Sequence, residues 1–249
     1  MPKFFVSSEQ IKDNIIEIVG IDVNHITNVL RLNIDDEINI CNKETGDNYL
    51  AKIIKEDKEK IVCQVLEKSK TEEDGTKITI FQGLPKADKM ELIIQKCTEL
   101  GVSKITPVQM DRSIVKFDAK NEIKKIERWQ KIAEAASKQC KRNSICKINS
   151  ITNIKNICNT IKDYDILLVP YENEKNNSFK GILKTLKGDN LKIAILIGPE
   201  GGFSLQEIEL LRNNGANIIT LGKRILRTET VAIAMVSSIM YEFGNLGEK

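Results

Sequence analysis

Two short segments combine residue types that can do chemistry, and the first is GPEGG at 198–202. It follows the apolar run IAILI and precedes SLQEIE, so it joins a predicted buried strand to a predicted helix. Its glycines can adopt backbone conformations closed to other residues and let a ligand approach main-chain amides. The spacing matches neither GxGxxG nor GxxxxGK[ST], so dinucleotide and triphosphate binding are not supported. Glu200 suits a cationic ligand or a ribose, and a plain tight turn is the alternative interpretation.

The second segment is LGKRILRTET at 221–230, between the run NIIT and the apolar stretch VAIAMVSSIMYEF. Arg224 and Arg227 have no obvious local purpose there. Arginine stays charged and presents a planar fork of donors that suits a phosphate or a developing oxyanion. Thr228 is expected to cap the last helix, and Glu229 to lie in its first turn, where the helix dipole favours an acid. Surface ion pairs for the arginines and a purely structural Glu229 are the alternatives.

Both segments belong to a domain, assigned to residues 75–249, in which strands and helices alternate. The apolar runs ITIFQGL, SKITPVQM, DILLVP, IAILIG and NIITLG predict strands, and the intervening segments have helical spacing. Gly101 is expected to end one helix, and the S-x-x-E capping box of Ser204 and Glu207 to start another at Ser204. This alternation predicts a mostly parallel sheet covered on both faces, with ligands bound beyond the carboxyl ends of the strands.

Residues 1–72 are predicted to form a small β-barrel domain. INICNKETGDNYLAKIIKED has the pattern of a β-hairpin, and KIVCQVLEKS adds another strand. The segment KTEEDGTK is polar and contains a glycine, which predicts a linker that ends near Gly75.

The composition is that of an ordinary globular protein, with 41% hydrophobic and 29% charged residues in a chain of 249. No apolar run approaches the roughly 20 residues of a transmembrane helix, and MPKFFVSSEQIKDN has no signal-peptide pattern, so we expect a cytoplasmic location without a membrane partner. Six scattered cysteines and a single histidine disfavour both a metal site and a disulfide framework.

Positive charge is concentrated in one part of the chain. Residues 1–74 hold 10 Lys+Arg against 16 Asp+Glu, whereas residues 112–147 hold 11 against 4. A local excess of this kind suits a surface that binds a polyanion. A solvated helix in a lysine-rich chain is the alternative.

Six segments resemble the RsmE family of ribosomal RNA methyltransferases, in register over nearly the whole chain. They are MPKFFV, NHITNVLR, GLPKADKMELIIQKCTELGV, RWQKIAEAASKQCKR, LIGPEGGFSLQEIE and LGKRILRTETVAIA. The resemblance implies a C-terminal trefoil-knotted α/β domain of the SPOUT class, an N-terminal PUA-like β-barrel that binds RNA, and a homodimer. It also implies methylation of N3 of a uridine in the 16S rRNA of the small ribosomal subunit, with S-adenosylmethionine (SAM) as cofactor and no metal.

The same resemblance implies that SAM lies among three loops. The residues expected to bind it are Leu168, Pro170, Glu172, Ile197, Gly198, Glu200, Gly201, Gly202, Leu221, Gly222, Ile225 and Leu226. The residues expected to contact RNA are Lys3, Arg31, Lys116, Lys138, Lys141, Arg142 and Arg224. Lys3 stands where the family usually has an arginine, which keeps the charge but loses the bidentate geometry.

Methylation at uracil N3 requires the proton on that nitrogen to leave. We expect Arg227 to stabilise the negative charge that develops on a uracil oxygen, and Glu229 to be the second choice, as proton acceptor. Two other functions stay open: a methyltransferase of the same class that acts on another RNA such as tRNA, and a non-catalytic RNA-binding factor in ribosome assembly. A small dehydrogenase is disfavoured because the chain lacks its glycine-rich loop near the first strand.

Overall fold

The computed structural model describes residues 1–70, 75–115, 119–244 and 246–247. Contacts between Cα atoms divide the chain into unit 1, Met1–Glu73 with Lys138–Ile145, and unit 2, Asp74–Ser137 with Cys146–Lys249. Residues 138–145, expected from the sequence to belong to the second domain, are grouped with unit 1 by their contacts. Residues 71–74 of the predicted linker lie outside the described residues.

Unit 1 is built from strands and short helical segments. Its strands are β1 (Lys3–Val6), β2 (Ile11–Lys12), β3 (Ile15–Val19), β4 (Glu37–Asn42), β5 (Asp47–Glu56) and β6 (Lys60–Lys70). A 3-10 turn spans Ser8–Gln10, and helix α1 (Ile21–Asn24) continues into a π-helical turn at His25–Val29.

The strands of unit 1 form one sheet in the order β1-β4-β5-β6-β3-β2. Only β1 and β4 pair in parallel, and the other pairs are antiparallel. The predicted hairpin is β4–β5, and it is confirmed. Side chains such as Ile38, Ile40, Ile53 and Ile61 are fully buried in a single apolar cluster. Within the described residues β1 and β2 do not pair, so closure of the sheet into a barrel stays a prediction.

Unit 2 alternates strands and helices, as expected. Its strands are β7 (Lys77–Gly83), β8 (Lys104–Gln109), β9 (Lys147–Ile148), β10 (Thr152–Asn153), β11 (Ile166–Pro170), β12 (Lys192–Ile197) and β13 (Asn217–Ile219). Its helices are α2 (Lys89–Glu99), α3 (Ala119–Gln139), α4 (Ile154–Thr160), α5 (Phe179–Leu183), α6 (Leu205–Asn213) and α7 (Thr228–Phe243), with a 3-10 turn at Ile161–Asp163.

The sheet of unit 2 runs β10-β8-β7-β12-β11-β13, with β9 beside β8. Each of these strand pairs is parallel. In β12, Ile193 and Ile195 belong to the apolar cluster on one face, and Ala194 and Leu196 to the cluster on the other. The sheet is therefore buried on both faces, which is why its strands are continuous apolar runs rather than alternating ones.

The helix signals in the sequence are confirmed at two of three positions. Ser204 is the N-cap of α6, and its side chain and that of Glu207 form the reciprocal capping box. Gly101 follows α2 with a φ of +104°, a left-handed conformation that favours glycine. The prediction for Thr228 was wrong: the N-cap of α7 is Arg227, without a capping hydrogen bond from its side chain, and Thr228 is the first helical residue.

The Ser204 cap predicts a measurable loss of stability on truncation. Ser204→Ala removes the acceptor for the Glu207 amide, 3.2 Å away, and the 2.7 Å hydrogen bond to Asp111. We expect the free energy of unfolding in urea to fall by about 1 kcal/mol. Ser150→Ala is the control, because Ser150 is exposed, and it should leave stability unchanged. Equal stabilities of the two variants would contradict the cap.

Candidate functional site

The candidate site is a cavity at the carboxyl edge of the parallel sheet in unit 2. Strands β7, β11, β12 and β13 all end at this edge, so the loops that follow them come together there. The cavity has a volume of about 440 Å³, within the range of roughly 300–1,000 Å³ usual for small-molecule sites. It is lined by Lys89, Pro170, Glu172, Ile197, Gly198, Pro199, Glu200, Gly201, Gly202, Phe203, Ile225, Leu226, Arg227, Thr228 and Val231.

A second, smaller cavity of about 130 Å³ adjoins the first. The two share Pro170, Glu172, Ile225, Leu226 and Val231 in their linings. The smaller cavity adds residues that follow β11 and β13, namely Tyr171, Thr220, Leu221, Gly222, Lys223 and Arg224. Together the cavities form an elongated site between the loops that follow β11, β12 and β13.

The structure brings together all but one of the residues expected to bind the cofactor. Ile197, Gly198, Glu200, Gly201 and Gly202 line the larger cavity. The smaller one has Leu221 and Gly222, and both have Pro170, Glu172, Ile225 and Leu226. Leu168 is the exception, because its side chain is fully buried in the core cluster of the sheet and lines neither cavity. Its side chain therefore packs in the core, and a contact of its backbone with the cofactor stays a prediction.

A chain of hydrogen bonds fixes the loops around the larger cavity. Gln82, fully buried near the end of β7, donates from Nε2 to Thr228 Oγ1 at 2.9 Å. Thr228 Oγ1 in turn donates to the carbonyl oxygen of Gly198 at 2.8 Å. Tyr171 and Phe203 add an edge-on ring contact between the loops after β11 and β12. Thr228 therefore joins the start of α7 to two strand ends, which explains why it is buried.

The glycines of the 198–202 loop serve close packing and backbone conformation. A Cβ at Gly201 would lie 2.9 Å from Arg112 Cβ and 3.1 Å from the Arg112 carbonyl oxygen, so the loop must approach this residue without a side chain. Arg112 also donates from Nη1 to the Gly201 carbonyl oxygen at 3.0 Å. Gly202 has a φ of +68°, which an L side chain adopts only with strain. A methyl group at Gly201 would thus meet protein rather than fill the cavity.

Glu200 is engaged by the segment between β7 and α2. It accepts from the backbone N–H of Lys86, at 3.2 and 3.3 Å, and from Lys89 Nζ at 2.9 Å. Burial would raise the pKa of Glu200, but the hydrogen bonds from Lys89 and from backbone amides outweigh it and lower that pKa. The pKa of Lys89 is raised, mainly by its hydrogen bond to Glu200. Both groups are therefore held in their charged forms.

The two arginines of the second segment are exposed at the cavities. Arg227 lines the larger one and Arg224 the smaller one. Neither guanidinium has a hydrogen-bond or ion-pair partner in the described part of the chain. They are free to contact an anionic or electron-rich ligand.

The proton-acceptor role expected for Glu229 stays a prediction. Neither cavity includes it among the described lining residues. Its Oε2 is buried without a hydrogen-bond partner, and its contact is an ion pair with Lys89 Nζ at 3.4 Å. This ion pair connects Glu229, in the first turn of α7, to a residue that lines the larger cavity.

The residues expected to contact RNA in unit 1 differ in their availability. Lys138 is paired with both carboxylate oxygens of Asp22, at 2.8 and 3.0 Å. Lys3 donates to Asn143 Oδ1, and burial, partly opposed by Cys41, lowers its pKa. Both side chains already have protein partners, which makes them structural as well as basic.

Three further candidates lie at or near the surface of unit 1. Arg31 and Lys141 are exposed, with left-handed φ values of 54° and 60°. Arg142 is half-buried, with a 3.3 Å hydrogen bond to Ser144. Lys116 lies outside the described residues.

No helix in the described ranges is long and apolar enough to cross a membrane. Those ranges also contain no group of three or more His, Cys, Asp or Glu that could hold a metal ion.

Sequence reasoning missed Lys89, Gln82 and Arg112 at this site. A usable signal existed for Lys89, because it follows the strand run ITIFQGL at the start of a predicted helix, where loops of a parallel sheet bind ligands. Gln82 and Arg112 had no such signal. Their roles depend on contacts with residues more than 80 positions away along the chain.

Comparisons with known proteins agree with this architecture. The RNA methyltransferase domain family matches residues 72–240. The RNA methyltransferase PUA domain family matches residues 21–66. The two matches thus cover most of unit 2 and much of unit 1.

Named relatives extend the match over nearly the whole chain. Ribosomal RNA small subunit methyltransferase E from Bacillus subtilis is 37% identical, covering 97% of both chains, and that from Aquifex aeolicus is 31% identical, covering 94% of this chain and 97% of its own. The crystal structure of the enzyme of the same name from Neisseria gonorrhoeae, bound to S-adenosyl methionine, superposes with a TM-score of 0.82 at 27% identity and 97% coverage of both chains. The chain belongs to the ribosomal RNA small subunit methyltransferase E family.

Proposed function

We propose that the protein uses SAM to methylate N3 of a uridine in the 16S rRNA of the small ribosomal subunit, in the cytoplasm. The observation that carries this proposal is the cavity at the carboxyl edge of the parallel sheet, where the glycine loop meets the guanidinium of Arg227, which has no partner among the described residues. Family membership supports the reaction class, and the SAM-bound relative supports the cofactor.

The lining of the cavities fits SAM. Apolar side chains of Ile197, Leu226 and Val231 offer surface for an adenine ring. The carboxylate of Glu172, shared by both cavities and without a partner among the described residues, suits ribose hydroxyls or the ammonium group of SAM. SAM supplies a methyl group on a positively charged sulfur, which a nucleophilic ring nitrogen can take. The backbone of the 198–202 loop, held by Thr228, forms one wall of the site.

Arg227 is the group that we assign to the chemistry of the base. As uracil N3 loses its proton, negative charge spreads onto the neighbouring carbonyl oxygens. A guanidinium at the cavity stabilises that charge by donating hydrogen bonds to those oxygens. Arg224, at the neighbouring cavity, is assigned to RNA phosphate, together with the exposed Arg31 and Lys141 of unit 1. Lys3, Lys116, Lys138 and Arg142 complete the proposed RNA-binding set.

The proposal includes the domain roles, a trefoil knot and a homodimer. Residues 1–72 bind RNA as a PUA-like barrel, and residues 75–249 carry the SAM site and the dimer interface. Knots are rare in proteins, and the support here is family membership together with the loops that Thr228 joins. For the dimer, the support is α7: residues 230–241 carry no charge, and Ala234, Ser238 and Tyr241 are exposed on it.

Glu172 provides a direct test of the cofactor site. We expect isothermal titration calorimetry to detect binding of SAM and S-adenosylhomocysteine but not of NAD. Glu172→Gln should weaken SAM binding by about 10- to 100-fold, since a hydrogen bond to a charged group contributes about 1.5–3 kcal/mol. Glu209→Gln is the matched control, because Glu209 is exposed on α6 and lines neither cavity. Equal affinities of the two variants would refute the role of Glu172.

Arg227 provides the test of the chemical step. In single-turnover methylation of small-subunit RNA with saturating SAM, Arg227→Ala should slow the reaction by about 100- to 1,000-fold, the usual effect of removing one oxyanion-stabilising donor. SAM affinity should change little. Arg212→Ala is the control, because Arg212 is exposed and only loosely paired with Glu174 at 3.7 Å. A near-wild-type rate for Arg227→Ala would remove this residue from the mechanism.

A further inference from the structure

The surroundings of Lys89 differ from those of a solvated surface lysine. It is the first residue of α2 and lines the same cavity as Arg227. Its Nζ lies 2.9 Å from Glu200 Oε1 and 3.4 Å from Glu229 Oε2. These carboxylates come from different elements, the glycine loop and the first turn of α7. The ammonium group is therefore fixed from two sides at the wall of the cavity.

The burial and the ion pair of Glu229 indicate its role beside Lys89. Its side chain is only 14% exposed, and Oε2 is buried without a hydrogen bond. Lys89 is the polar partner of this carboxylate in the described part of the chain. A carboxylate that is largely buried and paired with this lysine serves to hold it.

The chemistry of uracil calls for more than one cation. N3 lies between two carbonyl carbons, so the negative charge left by its proton is shared by O2 and O4. A positive charge near either oxygen favours the anion, and two such charges can act on both. Within the described lining of the larger cavity, the cations are Lys89 and Arg227.

We propose that Lys89 is a second catalytic cation, which binds one carbonyl oxygen of the target uracil while Arg227 binds the other. Glu200 and Glu229 are positioning residues that hold its ammonium group. The inference rests on the proposed function. In the step concerned, the N3–H bond breaks, its electron pair stays on the ring and the proton passes to water. Lys89 does not take that proton, because its hydrogen bond to Glu200 raises its pKa and keeps it charged.

The pH dependence of the rate separates this role from a structural one. Lys89 faces Glu200 in the glycine loop and Glu229 in α7, and shares the cavity lining with Arg227 and Glu172. In single-turnover methylation, Lys89→Gln should shift the pH–rate profile to higher pH by about one to two pH units. The rate near pH 7 should then fall by about 10- to 100-fold and recover at alkaline pH, where the base ionises without help.

Two lysine variants serve as controls. Lys89→Arg keeps the charge between the same carboxylates and should restore most of the rate near pH 7. Lys96→Gln removes another ion-paired lysine from the same helix, where Nζ is 3.0 Å from Glu99 Oε1, and it does not line the cavity. Its profile should coincide with that of the wild type.

Glu229 distinguishes positioning from proton transfer. Glu229→Gln should slow the reaction in the wild-type background but add little to Lys89→Gln, because both changes act on the same cation. If Glu229 accepted the proton, the two changes would act independently, and the fold-loss in rate of the double variant would be the product of the fold-losses of the two single variants. Glu229→Gln also keeps the inference testable if Lys89→Gln fails to fold, because its profile must shift in the same direction.

A binding measurement completes the test. Calorimetry should give the same SAM affinity for Lys89→Gln and wild type within about twofold, since the lysine acts on the base. A pH-independent loss of rate, a large loss of SAM affinity, or an unchanged profile would each overturn the inference. Absence of methyl transfer by the wild-type protein would instead overturn the proposed function, so the two failures are distinguishable.

Discussion

The site depends on one buried hydrogen-bond chain, from Gln82 through Thr228 to the Gly198 carbonyl group. It connects the end of β7, the end of β12 and the start of α7, which are far apart in sequence. Buried polar groups of this kind are costly to leave unpaired, so the loops have little freedom to move independently. The cavity between them is consequently preformed, as a site that must align two reactants requires.

Charge is arranged in two distinct ways around this cavity. Lys89 is held in its charged form by ion pairs with Glu200 and Glu229, whereas Arg224 and Arg227 have no partner among the described residues. Fixed cations cost no reorganisation at the moment of reaction, which is the main source of electrostatic catalysis. In the proposed function Arg224 contacts RNA phosphate and Arg227 the uracil, so the same loops would serve a small cofactor and a polyanion.

Local patterns predicted the parallel sheet, the Ser204 capping box and both functional loops, because each depends on residues close together in sequence. Contacts between distant segments were not predictable in this way. Thr228 was predicted to cap the helix because of its residue type and position, but its hydroxyl group forms hydrogen bonds with Gly198 and Gln82. Leu168 was expected to bind the cofactor, but it lies within β11 in a sheet that is buried on both faces, so its side chain packs in the core. Glu229 is near the site in sequence, but its ion pair is with Lys89, about 140 positions earlier, which no local pattern predicts.

The most direct measurement is mass-spectrometric mapping of 16S rRNA from small subunits of a strain that lacks this protein. The subunits are analysed before and after incubation with the purified protein and SAM. Our account predicts that a single uridine gains one methyl group, that the methyl is on N3, and that Arg227→Ala greatly slows its appearance. A methyl group on another atom or only on tRNA, or no methyl group at all, would contradict the account.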